Sequence, residues 1–233
     1  MNKHIILFFL LLSLTAQAQF KSMFSKEPII NLENFDKQRV HWGYFLGFNS
    51  YDFKFDYNDV VEDILVDGTT GFNVGLVGNL RLHEHIDLRF EPGLYYTQRN
   101  LKFPNIENEF DALREVKSTY LHFPLLLKFS SVRVGNVRPY LVGGVSTSLN
   151  LSSNAKAEDD NYNNRFRMNK WTNYYELGFG IDLYLEYFKF SPSIRGVFSF
   201  NDELIRDNNP DSPWTGNVDS MKTRGVFINF TFH

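Results

Sequence analysis

Hydrophobic residues return at every second position through most of this chain. Phe72, Val74, Leu76, Leu80 and Leu82 alternate with Asn73, Gly75, Asn79 and Arg81. Leu121, Phe123, Leu125, Leu127 and Phe129 share one face, with Tyr120, His122 and Lys128 on the other. The same period runs through 86–97, 137–151, 171–181, 188–200 and 225–232. A period of two is that of a β-strand with one apolar face. A further strand, the first in sequence, spans about 41–57 and changes parity. Trp42, Tyr44, Leu46 and Phe48 share one face, and Tyr51, Phe53 and Phe55 the other. A β-bulge near Asn49-Ser50 is predicted there, because one extra residue flips the faces. Pro92, Pro124, Pro139 and Pro192 fall inside strands, where proline disfavours an interior position.

The connections alternate in length. Short links fall near 83–85, 130–136 and 184–187, and long ones near 56–70, 100–115, 152–168 and 201–220. Every long loop then lies on one side and both chain ends on the other. This predicts an all-β fold, an eight-stranded antiparallel up-and-down transmembrane β-barrel with short periplasmic turns and long external loops. Periodicity alone leaves open whether the apolar face points inward, as in a soluble barrel, or out to lipid. The polar face decides for lipid. It is mostly Gly, Ser, Thr and Asn, where a soluble exterior would be rich in Lys and Glu.

The charges on that inner face are Arg89, Glu91, Arg99, Lys128, Arg138, Glu176, Asp182, Lys189 and Arg195. A buried charge is costly unless paired, so mutual pairing is expected. Side chains fill the interior of an eight-stranded barrel, which favours a salt-bridged structural plug over an ion path.

Composition adds exclusions. The 233 residues contain no Cys, so there is no disulfide scaffold, thiolate metal site or thiol nucleophile. A net charge of -3 argues against nucleic acid as a partner. The mean hydropathy of -0.30 suggests a soluble chain, yet alternate polar residues turned into a lumen would give the same average. Residues 1–18 have the form of a cleaved export signal: Lys3, an apolar stretch from Ile5 to Leu14, and Ala16-Gln17-Ala18. A periplasmic lead over 19–40 and a barrel domain over 41–233 follow, which places the protein in the outer membrane.

Catalytic chemistry is hard to find. Hydrolysis would need a nucleophile, a His and a carboxylate near the external rim. Beyond the signal, His41, His83, His85, His122 and His233 all lie in strands, short turns or at periplasmic ends. His83-Glu84-His85 has no third metal ligand near it in sequence, so a solvated turn is the reading. No cofactor, metal or enzymatic activity is expected. The four long loops carry 17 Asp or Glu against 6 Lys or Arg. They suit a solvated surface beside anionic headgroups, and none has the spacing of a calcium loop. Asp59, Val60, Val61, Glu62, Ile64, Leu65, Leu204 and Ile205 mix acidic and apolar character. They suggest partner contact, and packing over the barrel mouth explains the apolar ones equally well.

The whole mature chain resembles the PorT family of outer-membrane β-barrels of gliding, type IX-secreting Bacteroidetes. The opening Asn34-Phe35-Asp36-Lys37-Gln38-Arg39-Val40-His41-Trp42-Gly43 carries the likeness, with Leu46-Gly47-Phe48-Asn49 after it. Tyr120 to Lys128 and Arg138 to Gly144 support it less specifically, since such blocks recur across many barrels. The terminus departs from the usual final aromatic, because His233 follows Phe232. The resemblance implies an accessory of type IX secretion, needed for cargo export and gliding, with protein partners in a secretion assembly besides outer-membrane lipid and lipopolysaccharide. It brings no catalytic residues. The alternative is a small outer-membrane channel or solute-binding barrel.

Overall fold

The computed structural model describes residues 29–59 and 62–233. The export signal, the lead through Pro28, and Val60 and Val61 lie outside the described residues. The strands are β1 Val40–Tyr57, β2 Leu65–Gly68, β3 Thr70–His83, β4 Ile86–Phe90 and β5 Gly93–Lys102. They continue as β6 Leu113–Ser130, β7 Val137–Asn150, β8 Trp171–Tyr184, β9 Lys189–Ser199 and β10 Val218–Phe232. Two of these junctions are interruptions of one stave: Thr69 separates β2 from β3, and Glu91-Pro92 separates β4 from β5. The ten segments therefore make eight staves.

All pairings are antiparallel between neighbouring staves, and β1 pairs with β10 on one side and β3 on the other. That double pairing closes the ring and removes the edge that lipid could not satisfy. Among the described residues no helix is long and apolar enough to cross a membrane. The alternation of each stave sorts its side chains. On β1, His41, Phe45 and Asn49 are buried toward the lumen, while Trp42, Tyr44, Leu46 and Phe48 are exposed outward to form part of the lipid-facing band.

The expected bulge at Asn49-Ser50 is absent. β1 pairs without a register shift through this point, and Tyr51 and Phe53 are buried on the lumen side like Asn49. The outward positions simply turn polar after Phe48, at Ser50, Asp52 and Lys54, because the stave has left the lipid there. The prolines find tolerant places. Pro92 and Pro124 meet at the break between β4 and β5, where the Glu91 N–H donates to the Pro124 carbonyl and the Leu76 N–H to that of Pro92.

Candidate functional site: the filled lumen and its two mouths

The middle of the lumen holds a chain of alternating charges. Arg89 lies 2.6 Å from Glu91, and Arg195 lies 2.8 Å from Glu91 and 3.4 Å from Glu176. Glu176 accepts from the His122 imidazole at 2.7 Å, and the other ring nitrogen of His122 meets the Ser148 hydroxyl. The chain spans four staves, because Arg89 and Glu91 come from one side of the ring and Glu176 and Arg195 from β8 and β9. Lower down, Asp182 binds Lys128 at 2.5 Å, accepts from the Ser191 hydroxyl at 2.6 Å, and has Lys189 at 3.9 Å. All these charged side chains are buried. Pairing with additional hydrogen bonds is what makes buried charge tolerable.

Arg99 departs from the expected ion-pair pattern. It is fully buried, but its guanidinium donates to the Tyr120 hydroxyl at 2.7 Å and to Ser118, and its centre lies 3.8 Å over the Phe53 ring. Aromatic faces and hydroxyls take the place of a carboxylate. Arg138 stands at the periplasmic rim, donating to the Ser131 and Glu84 carbonyls.

The residues ahead of β1 pack at the periplasmic mouth. They include a short 3-10 turn over Phe35–Lys37. The Tyr184 hydroxyl donates to Asp36 at 2.5 Å, and Arg138 lies 3.4 Å from the same carboxylate. Phe35 stacks on His41 with ring centroids 4.5 Å apart, and the Lys189 ammonium lies 4.7 Å from its ring centre. Asn31 and Asn136 tie this segment to the β7 turn, and Arg133 donates to the Asn31 carbonyl. A Cβ at Gly43 would collide with the Phe232 carbonyl and the His233 ring, so glycine lets the chain's last residues tuck in beside the plug.

At the external mouth the described loop residues pack together. Phe53, Leu101, Phe103, Val116, Phe166, Met168, Leu204, Trp214, Val218 and Met221 form one apolar cluster above the lumen. Asp207 organises two loops beneath solvent: it accepts from the Asn161 side chain at 2.9 Å, the Ser212 hydroxyl at 2.5 Å and the Thr215 hydroxyl at 3.0 Å. Arg114 donates to the Asn161 carbonyl and stacks over Trp214, whose indole N–H donates to the Asp111 carbonyl. Glu203 is fully buried in this cap and accepts from the Thr223 N–H at 3.0 Å. Burial pushes its carboxyl above the ordinary carboxylate range, against the opposing pull of Arg99.

The residues expected to meet a partner therefore separate. Leu204 is 4% exposed and packed into the cap, so its side chain is unavailable, and Ile64 packs partly against the same cluster. The reason is that an apolar residue in a loop over a narrow barrel buries itself in that loop's own core first. Ile205 is half-buried, while Leu65, Asp59 and Glu62 are exposed. His83 and His85 have ring centroids 6.4 Å apart, and His85 bonds the Ser130 carbonyl. Among the described residues no three His, Asp or Glu side chains converge as a metal site. Sequence reasoning named His122 on the lumen face, Asp36 in the opening stretch and Asp207 in an acidic loop without their partners, and left Trp214 unassigned. The lone polar histidine on a lumen face was a signal for the first, and the Phe35-Asp36 pair just ahead of a strand for the second.

Residues 16–204 match the family described as outer membrane protein beta-barrel domain. Among solved structures, the outer membrane protein OprG of Pseudomonas aeruginosa aligns at 17% identity and a TM-score of 0.42, over 83% of this chain and 94% of that one. Neisserial surface protein A aligns at 10% identity and 0.43, over 83% and 98%. Outer membrane protein AlkL, determined in lipid bilayers, aligns at 15% identity and 0.40, over 90% and 92%. At these scores the likenesses carry nothing about function. No curated protein matches the chain. With eight closed staves and an outward apolar band, the chain belongs to the outer membrane protein beta-barrel domain family and resides in the outer membrane, in contact with its lipid.

Proposed function

We propose that this protein is a non-conducting, non-enzymatic barrel that serves as an accessory of type IX secretion, supporting cargo export and gliding through contacts with other proteins of the assembly and with lipopolysaccharide. The observation that carries the reading is packing at three levels: the contacts of Asp36, the ion-paired lumen around Glu176, and the apolar cluster around Trp214. A barrel with no through-path acts by its surfaces. The secretion role is supported by the PorT-like stretch Asn34 to Gly43, of which Phe35–Lys37 form the turn ahead of β1.

A clean deletion tests the role. Export of other secreted proteins into the medium and surface spreading are expected to stop, with outer-membrane integrity kept, and to return on complementation. Normal export in the deletion strain would overturn it. Purified protein is expected to turn over neither ester nor peptide substrates. Turnover that disappears in His122→Ala would replace the reading with a hydrolase.

A further inference from the structure

Above the lipid band the barrel wall splits. The β1–β3 ladder ends at Ser50↔Thr70, and β2 pairs with β5 alone. At the foot of the split the two strands touch, where a Cβ on Gly68 would sit 2.7 Å from the Tyr51 carbonyl oxygen. Higher up they part around a cleft of about 350 Å3, lined by Asp52 to Phe55, Tyr57 and Arg224 on one side and Asp63 to Val66 on the other.

Both walls of this cleft are unpaired sheet edges. In an antiparallel ladder a residue's N–H and C=O point to the same side, and alternate residues serve alternate neighbours. The Arg81 N–H donates to the Arg39 carbonyl, so the odd residues of β1 serve the β3 side. The Thr69 N–H donates to the Gln98 carbonyl, so the odd residues of β2 serve β5. That leaves the Phe55 N–H and C=O and the Phe53 C=O directed into the cleft from β1, and those of Val66 from β2, while the Ile64 N–H is taken by the Tyr57 hydroxyl at 2.8 Å. The Phe53 N–H is taken by the Asp52 side chain at 2.8 Å. An unpaired edge is a template for another strand.

The surroundings set the sign. Asp52 and Asp56 are paired, with Arg224 at 2.6 Å and Lys54 at 3.1 Å. Asp63 lines the cleft and Asp59, Glu62 and Asp67 flank it in the same segment, and none of the four makes an ion pair among the described residues. We infer that this cleft is a docking site for an extended, lysine- or arginine-bearing polypeptide segment of a partner, which adds as a strand to the exposed edge of β1 or β2. Backbone hydrogen bonds supply the affinity and the surrounding carboxylates the preference for basic side chains. The inference stands on the barrel alone and does not need the secretion role, so a normal deletion phenotype would leave it untouched.

The test uses full-length mature protein in nanodiscs and a fluorescent synthetic peptide of alternating lysine and valine. Saturable binding by anisotropy is expected, with a glutamate–valine peptide failing to bind. Methylating alternate backbone nitrogens of the lysine peptide keeps its charge and is expected to weaken binding about ten-fold, the loss of one or two hydrogen bonds. Asp63→Asn with Asp67→Asn is expected to weaken the unmodified peptide and leave the fold intact. A photo-crosslinker on the peptide should map to 53–55 or 65–68. Equal binding of the methylated peptide, preference for the glutamate peptide, crosslinks elsewhere or no saturable binding would each overturn the proposal.

Discussion

The hydroxyl of Tyr184, at the periplasmic end of β8, donates to the carboxylate of Asp36, from the segment ahead of β1, at 2.5 Å. This bond, with Arg138 at 3.4 Å, ties the plug to the barrel wall across 148 residues of sequence. Asp36→Ala is expected to release the plug without unfolding the barrel. Amide exchange over 31–38 should speed up by roughly an order of magnitude, the worth of one hydrogen bond to a charged group, while exchange in β6 to β9 stays slow. Unchanged exchange in the plug would mean that Phe35 and Asn31 hold it unaided.

The Asp182 carboxylate lies between two buried ammonium groups. Asp182→Ala leaves Lys128 and Lys189 without their carboxylate and should cost about 3–5 kcal/mol of stability. The double variant Lys128→Met with Asp182→Met removes one stranded charge and is expected to recover at least part of that loss. Urea unfolding followed by the gel shift between folded and unfolded barrel reads both. A silent Asp182→Ala would mean that the lumen admits enough water to solvate the lysines.

Acidity should act on the cap through Glu203. Its carboxyl is held above the ordinary range by burial, so the folded protein takes up the proton before the unfolded chain does. The contribution is fully present below the unfolded value and is lost as pH rises through the folded one. Glu203→Gln, which can keep the acceptor for the Thr223 N–H, is expected to stabilise the cap near pH 8 and to change little near pH 4. Exchange of the Thr223 amide across that range measures it, and an effect confined to the acid end would reverse the sign.

The periodicity and loop lengths revealed the staves, their order and the sidedness of the loops, because a pleated strand with one lipid face writes its period directly into the sequence. They misread Tyr51 and Phe53. Beyond the lipid the outward positions Asp52 and Lys54 are polar, so alternation persists while its meaning inverts, and no local pattern marks where the lipid ends. The lumen charges were legible one by one, but their partners were not. Lys128 and Asp182 are 54 residues apart on β6 and β8, and only the register of the closed ring brings them together. The cap was hidden for the same reason: Phe166 comes from one loop and Leu204 and Trp214 from another, and they meet only in the folded barrel.

A sealed barrel passes no current in a planar bilayer. Full-length mature protein is expected to insert without unit current steps at either polarity, in low or high salt. Reproducible steps that change amplitude in Arg138→Ala or Glu176→Gln would instead make the protein a channel.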